Sequence, residues 1–295
     1  MSDAIHGYWV AVPTPLTADG AVDSARLAGH ALGLFKQGID GVVLFGTTGE
    51  GTSFSVTERI ATVEALLKAD VPAARIGLGG GFPAVTDAIA LTREALRTGL
   101  RHVLLLPPYF YRDALPDGIE DAFATIIDGV ADDRLRATLY HIPQVSGVGV
   151  PAAVAGRLRA RYGKIVAGIK DSSADFTHFQ AFRAAAPDLA ITVGNEADIS
   201  RAIAQGGAGT ICGMASIVPD LVRAMLTGTS AEAETRMRAA IAVIANTPFV
   251  PTLKAILAAQ TGDAGWLRVR PPLRASSDGA ALKAKLDKLT QSAAA

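Results

Sequence analysis

Along most of the chain, short runs of aliphatic and β-branched residues alternate with longer segments whose apolar positions recur every three or four residues. The runs are YWVAVPTP, GVVLFGTTGE, RIGLGGG, RHVLLLPPYF, ATLYHIP, KIVAGIKDS, AITVGNE and GTICGMASI, eight strand candidates. Between the first two, DSARLAGHALGLFKQG places Leu27, Ala31, Leu34 and Phe35 on one helical face, with Asp23 to cap its start and Gly38 to end it. Between the second and third, SVTE at Ser55 to Glu58 reads as a capping box ahead of Ile60, Val63, Leu66 and Leu67. Parallel neighbours need such helical crossovers, and strands apolar on both faces belong in a sheet covered by helices. Eight repeats of the unit predict an α/β fold of the (β/α)8 TIM-barrel type, with a doubly wound sheet as the alternative.

After the eighth run the period changes. PDLVRAMLTG, AEAETRMRAAIAVIANT, VPTLKAILAAQTG and GAALKAKLDKLTQS are helical with no strand between them, and VRPPLRASS is a proline-containing connector. The predicted division is a barrel over residues 1–221 and a C-terminal helical region over 222–295, with the final QSAAA fraying.

At 295 residues and 49% hydrophobic content the chain can bury a large core. Lys plus Arg and Asp plus Glu both total 28, and no basic stretch is interleaved with aromatics, which argues against a nucleic-acid partner. No run reaches the roughly 18 uninterrupted apolar residues of a membrane span, and MSDAIHGYWV does not read as a secretion signal. These features predict a soluble, cytoplasmic protein without a membrane partner. Cys212 is the single cysteine, and His6, His30, His102, His141 and His178 show no paired metal-ligand spacing, so no metal site is predicted.

In a parallel barrel the carboxyl ends of the strands converge on one mouth, where such folds carry their active sites. The residues ending each run are therefore the informative ones: Thr47, Thr48 and Glu50, Tyr109, Phe110 and Tyr111, Tyr140 and His141, Lys170, Asn195 and Glu196, and Ser216. Lys170 follows Ile165 to Ile169, so its stem lies among apolar side chains while its amine reaches the mouth. An amine in such surroundings favours its neutral, nucleophilic form, which condenses with a ketone, although pairing with Asp171 is the plainer explanation. Imine chemistry needs a nearby proton donor and acceptor, and the phenol of Tyr140 serves if the hydroxyl of Thr47 relays its proton. GTTGEG, starting at Gly46, combines tight backbone with two hydroxyls and exposed amides, a nest suited to a carboxylate. It lacks the lysine and spacing of a phosphate-binding loop, GLGGGF lacks the dinucleotide fingerprint, and no nucleophile-elbow pattern supports a Ser/His/Asp hydrolase. His141, beside Tyr140, is a further candidate for substrate contact.

Together GTTGE, YHIP and GIKDSS, with its Ser172, in this order on successive barrel strands, resemble the dihydrodipicolinate synthase and N-acetylneuraminate lyase family of class I, pyruvate-dependent aldolases. The resemblance runs from VPTP at residues 12–15 through TLKAIL at 252–257 to RPPL at 271–274. It implies that Lys170 forms a Schiff base with the 2-keto carbon of the substrate, that no bound cofactor is needed, that Tyr140 is the acid/base and that Thr47 relays its proton. It also implies that Thr47 and Thr48 hold the carboxylate and that the chain forms a homotetramer.

Two departures narrow the reading. Where dihydrodipicolinate synthases carry an arginine for the aldehyde's distal carboxylate, YHIPQVSGVGV offers Gln144, Val145 and Ser146, which costs an acidic aldehyde an ionic hydrogen bond of ~1.5 to 3 kcal/mol. The tyrosine that the family contributes to the relay from a neighbouring subunit aligns with Phe110, which cannot pass a proton, leaving Tyr109, Tyr111 or a shorter relay. Asn195 and Glu196 stand where sugar-acid lyases hydrogen-bond hydroxyls, and an amide with a carboxylate suits a polyol better than a dianion. The reading is an aldolase, a carbon–carbon lyase of carbohydrate metabolism, that splits a 2-keto-3-deoxy sugar acid or related 4-hydroxy-2-oxo acid reversibly into pyruvate and an aldehyde. The alternatives are a dehydratase of the same acids, a 4-hydroxy-tetrahydrodipicolinate synthase, and a catalytically silent barrel that binds a keto acid.

Overall fold

The computed structural model describes residues 4–228 and 230–291; the predicted fraying falls largely on positions outside that range. Eight strands form one closed parallel barrel in sequence order: β1 (Gly7–Ala11), β2 (Gly41–Leu44), β3 (Ile76–Gly79), β4 (His102–Leu105), β5 (Arg136–His141), β6 (Val166–Asp171), β7 (Ala190–Val193) and β8 (Gly209–Cys212). Each lies within or beside one of the predicted runs, so the barrel stands and the doubly wound alternative falls. The helices between them are α1 (Ser24–Lys36), α2 (Val56–Lys68), α3 (Val85–Arg97), α4 (Pro116–Val130), the short α5 (Pro143–Ser146), α6 (Ala152–Tyr162), α7 (Phe176–Ala185) and α8 (Ile199–Ala204).

Local chemistry explains the helix starts. Asp23 accepts from the amide of Arg26 at the start of α1. The Ser55–Glu58 capping box opens α2, each side chain bonding the other's backbone amide, an arrangement worth about 1 kcal/mol. On α1, Leu27, Ala31 and Leu34 are buried as the period predicts, whereas Phe35 is only half-buried and its ring lies 3.7 Å from the Arg75 guanidinium.

Alternation along the strands sorts side chains into two layers. Val10, Val42, Leu44, Val103 and Leu105 join the large core between the sheet and its helices. Trp9, Ala11, Val43, Leu104 and Ile211 form a second cluster with Ile5, which fills the barrel interior. Gly41 makes room for the indole, since a Cβ there would stand 2.6 Å from the Trp9 ring.

After β8 come α9 (Pro219–Thr227), α10 (Ala231–Ile244), α11 (Phe249–Thr261) and α12 (Gly279–Gln291). α9 runs across the predicted boundary at residue 221 and packs on α8 and β1 as well as on α10. The connector VRPPLRASS carries a cis peptide at Pro271–Pro272. No single helix among the described residues is long and apolar enough to cross a membrane.

The barrel closes where Gly7 of β1 pairs with Gly209 of β8. Gly209 has φ +142°, and a Cβ there would fall 2.0 Å from the Gly7 carbonyl oxygen. The substitution Gly209→Ala is predicted to destabilise the fold by about 3 kcal/mol or more, combining overpacking with backbone strain, read as a lowered urea midpoint.

Candidate active site

Tyr140 and Lys170 are register partners on β5 and β6, and both face into the barrel mouth, because their neighbours Leu139 and Ile169 belong to the outer core. Lys170 is only 5% exposed. Its Nζ donates to the Tyr140 hydroxyl at 3.3 Å and lies 4.3 Å from the centroid of that ring. The same hydroxyl is 3.2 Å from Thr47 Oγ1. Amine, phenol and threonine therefore form one hydrogen-bonded chain contributed by three separate strand ends.

Beyond the amine opens a cavity of about 440 Å³. Thr47, Thr48, Ser172, Asn195 and Glu196 border it from the barrel, and Phe249, Val250 and Pro251 of α11 with Leu273 close it from the C-terminal side. Among the described residues that line it, Lys170 is the single basic side chain. A second cavity of about 240 Å³ meets the first at Tyr140 and Thr47; Gly46, Leu104, Leu106, Ile142 and Tyr109 border it. Tyr109 is thus the member of the aromatic trio that reaches the phenol's surroundings, and burial holds its own hydroxyl above the usual range. Tyr111 is exposed.

The polar groups on the floor are partly committed to the protein itself. Glu196 is buried and accepts from the Met214 amide at 3.0 Å; burial raises its carboxyl above the usual range, against the opposing effects of that amide and of Lys170. The Asn195 amide donates to Asp198 at 2.6 Å, and the Gln144 amide to the Ser172 carbonyl at 2.6 Å. Among the described residues, no three His, Cys, Asp or Glu side chains gather as metal ligands would.

Four expectations are corrected. Glu50, at the end of the second run, borders neither cavity and is wholly buried against Lys254. His141 follows Tyr140 on the strand and so faces outward, wedged against His178 and Phe182 of α7, with its Nδ1 accepting from the Val150 amide at 2.9 Å. It borders neither cavity. Ser216 sits at the end of the turn after β8, and its Oγ is buried beside α1 and α11 with no partner among the described residues, away from the mouth. Phe110, with φ +99°, carries its ring off the surface at 79% exposure, so it cannot touch a substrate held in its own barrel.

Sequence reasoning passed over Gly194 and the wall supplied by α11. A Cβ on Gly194 would stand 2.0 Å from Ser172 Oγ and 2.9 Å from Lys170 Cε, so the glycine clears the space through which the lysine stem passes. Its position directly after β7 was the available signal. The α11 wall had none, since nothing in VPTLKAIL says that its first turn returns to the mouth.

The model of the dihydrodipicolinate synthetase family matches residues 4–290. The chain belongs to that family. It is 37% identical over 294 residues to an uncharacterized DapA-like lyase of Chloroflexus aurantiacus, covering 96% of this chain and 97% of that one. To a 4-hydroxy-tetrahydrodipicolinate synthase of Thermosynechococcus vestitus it is 32% identical over 293 residues, covering 95% of each. Among solved structures it is similar to a dihydrodipicolinate synthase from Agrobacterium tumefaciens, with a TM-score of 0.91 and 33% identity over 97% of this chain and all of that one. The protein is accordingly an enzyme, a carbon–carbon lyase in a family of Schiff-base, pyruvate-dependent aldolases that need no metal.

Two outcomes follow from the site. Gly194→Ala should lower kcat/KM on the order of a hundredfold by displacing the amine, with the fold retained by circular dichroism. His141, held down at about 4 by burial and by His178, stays neutral in the folded protein while the unfolded chain protonates near 6.5. Its contribution to stability is present above 6.5 and is lost as pH falls toward 4, on the order of 3 kcal/mol. Buried Asp171 and Glu196 are raised and act in the opposite sense, so the histidine's share is the difference between wild type and His141→Gln. Urea titrations at pH 7 and pH 4 should show the wild type losing more stability than the variant.

Proposed function

We propose that the protein is a class I aldolase that cleaves a 2-keto-3-deoxy sugar acid, or a related 4-hydroxy-2-oxo acid, reversibly to pyruvate and an aldehyde. The observation that carries this reading is the chain from Lys170 Nζ to Tyr140 to Thr47, with links of 3.3 and 3.2 Å, at the buried head of the mouth. Lys170 attacks the 2-keto carbon, and Tyr140 gives its proton to the carbinolamine hydroxyl, which leaves as water. The phenolate then takes the proton of the C4 hydroxyl, the C3–C4 bond breaks, and its electron pair flows into the iminium to leave an enamine as the aldehyde departs. Protonation at C3 and hydrolysis free pyruvate. Thr47 and Thr48 are the holders of the carboxylate, with Thr47 also passing the proton.

The lining of the mouth supports an uncharged aldehyde half. Val145 is 61% exposed at its rim and Gln144 is tied to the Ser172 carbonyl, so neither offers a cation to a distal carboxylate. Ser172, Asn195 and Glu196 are the polar groups within reach of hydroxyls. This reading ranks the sugar-acid aldolase above the synthase named for the Thermosynechococcus relative. Phe110 and Tyr111 are exposed with their rings 5.6 Å apart, a pair suited to contact between copies in keeping with a homotetramer, and we place the enzyme in the cytoplasm.

Incubation with pyruvate and borohydride should add one reduced pyruvyl group at Lys170 by mass spectrometry, and Lys170→Arg should abolish both adduct and turnover. A panel of 2-keto-3-deoxy acids should release pyruvate. Dehydrated dioxo product without pyruvate would make the enzyme a dehydratase, turnover of aspartate semialdehyde would make it the synthase, and an adduct without turnover would leave a binding barrel.

A further inference from the structure

The carboxylate-holding loop of residues 46–51 follows Phe45 and contains Glu50, two non-glycine residues in left-handed backbone, with φ +53° and +55°. It lies directly on its own strand end: a Cβ on Gly51 would fall 1.9 Å from the Phe45 carbonyl oxygen, and one on Gly49 would fall 2.8 Å from the Phe45 amide nitrogen. Backbone of this kind persists only where its surroundings over-determine it. The surroundings here are charged. Glu50 turns away from the mouth, and its Oε1 accepts from Lys254 Nζ at 2.6 Å, both side chains being wholly buried. Its Oε2 accepts from the Arg270 amide at 3.0 Å. Lys254 also donates to the Thr14 carbonyl at 2.8 Å, and the Thr14 hydroxyl donates to the Gly49 carbonyl at 2.7 Å, which closes a ring of contacts around the loop.

Lys254 lies on α11. Burial lowers its ammonium from the usual range, against the favourable charge of Glu50. A buried pair adds little net stability over apolar residues of the same volume, so stability alone gives weak reason to place one here. What the pair does supply is direction, because each charge fixes the other from a separate part of the chain.

We infer that Glu50 and Lys254 are positioning residues, which, with Thr14, pin the 46–51 loop from behind so that Thr47 and Thr48 present their amides and hydroxyls to the substrate carboxylate. The C-terminal helical region thereby takes part in substrate binding through α11. The inference rests on the aldolase reading for its kinetic consequence but not for its structural one.

Three variants test it: Thr14→Val, Glu50→Gln, and the double change Glu50→Leu with Lys254→Met, which removes both charges and so leaves neither unpaired. Folding is checked by circular dichroism, and should the double variant not fold, Thr14→Val, which removes a single hydrogen bond, carries the test. Two quantities are read in the folded variants: amide hydrogen exchange over residues 46–51, and KM against kcat for the oxo acid. The expected result is faster exchange confined to that loop, with KM raised about tenfold in the double variant and severalfold in Thr14→Val, while kcat, to which Thr47 on the same loop contributes as proton relay, falls by a smaller factor than KM rises. Lys170 should still be trapped by borohydride at saturating pyruvate. Unchanged exchange in a folded variant overturns the inference whatever its KM, and faster exchange with KM unchanged, or a loss confined to kcat, overturns the claim that the loop serves binding. If the wild type is not trapped with pyruvate, the aldolase reading fails by itself, and exchange alone then decides whether the pair positions the loop.

Discussion

The site depends on closure of the parallel sheet. Only when β8 pairs with β1 do the carboxyl ends of all eight strands face one opening, and Lys170, Tyr140 and Thr47, which are far apart in the chain, come within 3.3 Å of one another in succession. Closure requires the backbones of Gly7 and Gly209 to approach more nearly than a methyl group permits. The interior beneath is filled by Trp9 and its neighbours, so the barrel is a packed core with reactive groups at one end and not a channel.

Within that frame, the period-two alternation of strands does the finer sorting. It turns Lys170 and Tyr140 inward and sends their chain neighbours Asp171 and His141 outward, where Asp171 accepts from the Ser173 amide and His141 meets α7. Two residues adjacent in sequence thus lie in different environments: Tyr140 where the two cavities of the mouth meet, His141 in a packed layer that keeps it neutral. The same logic removes the plainer explanation of the lysine, because Asp171 cannot pair with an amine on the opposite face of its own strand.

The C-terminal helices are more than a continuation of the barrel's outer ring. α11 supplies one wall of the mouth through Phe249, Val250 and Pro251, and through Lys254 it reaches behind the loop that borders the other side. Family membership is consistent with this unity, since the match spans residues 4–290. In the proposed reaction Lys170, Tyr140 and Thr47 carry the chemistry, and the uncharged side chains of Val145 and Gln144 at the rim are the ground for proposing an uncharged second substrate half.

Much of this was legible from one dimension. Local hydrophobic period and caps are properties of a few neighbouring residues, so the eight strands, the Asp23 cap, the Ser55–Glu58 box and the strand-end positions of Lys170 and Tyr140 could be read directly. What could not be read depended on contacts distant in sequence. The outward turn of His141 was implied locally by strand parity once Tyr140 faces inward, whereas the remote placing of Ser216 depends on how the turn after β8 packs beside α1 and α11. The clearance at Gly194 is set by side chains that pack only after β6 and β7 pair, and the Glu50–Lys254 ion pair joins residues 204 positions apart. Sequence determined which groups were present and at which strand ends; tertiary structure decided which faced one another, because burial and distance exist only once the sheet has closed.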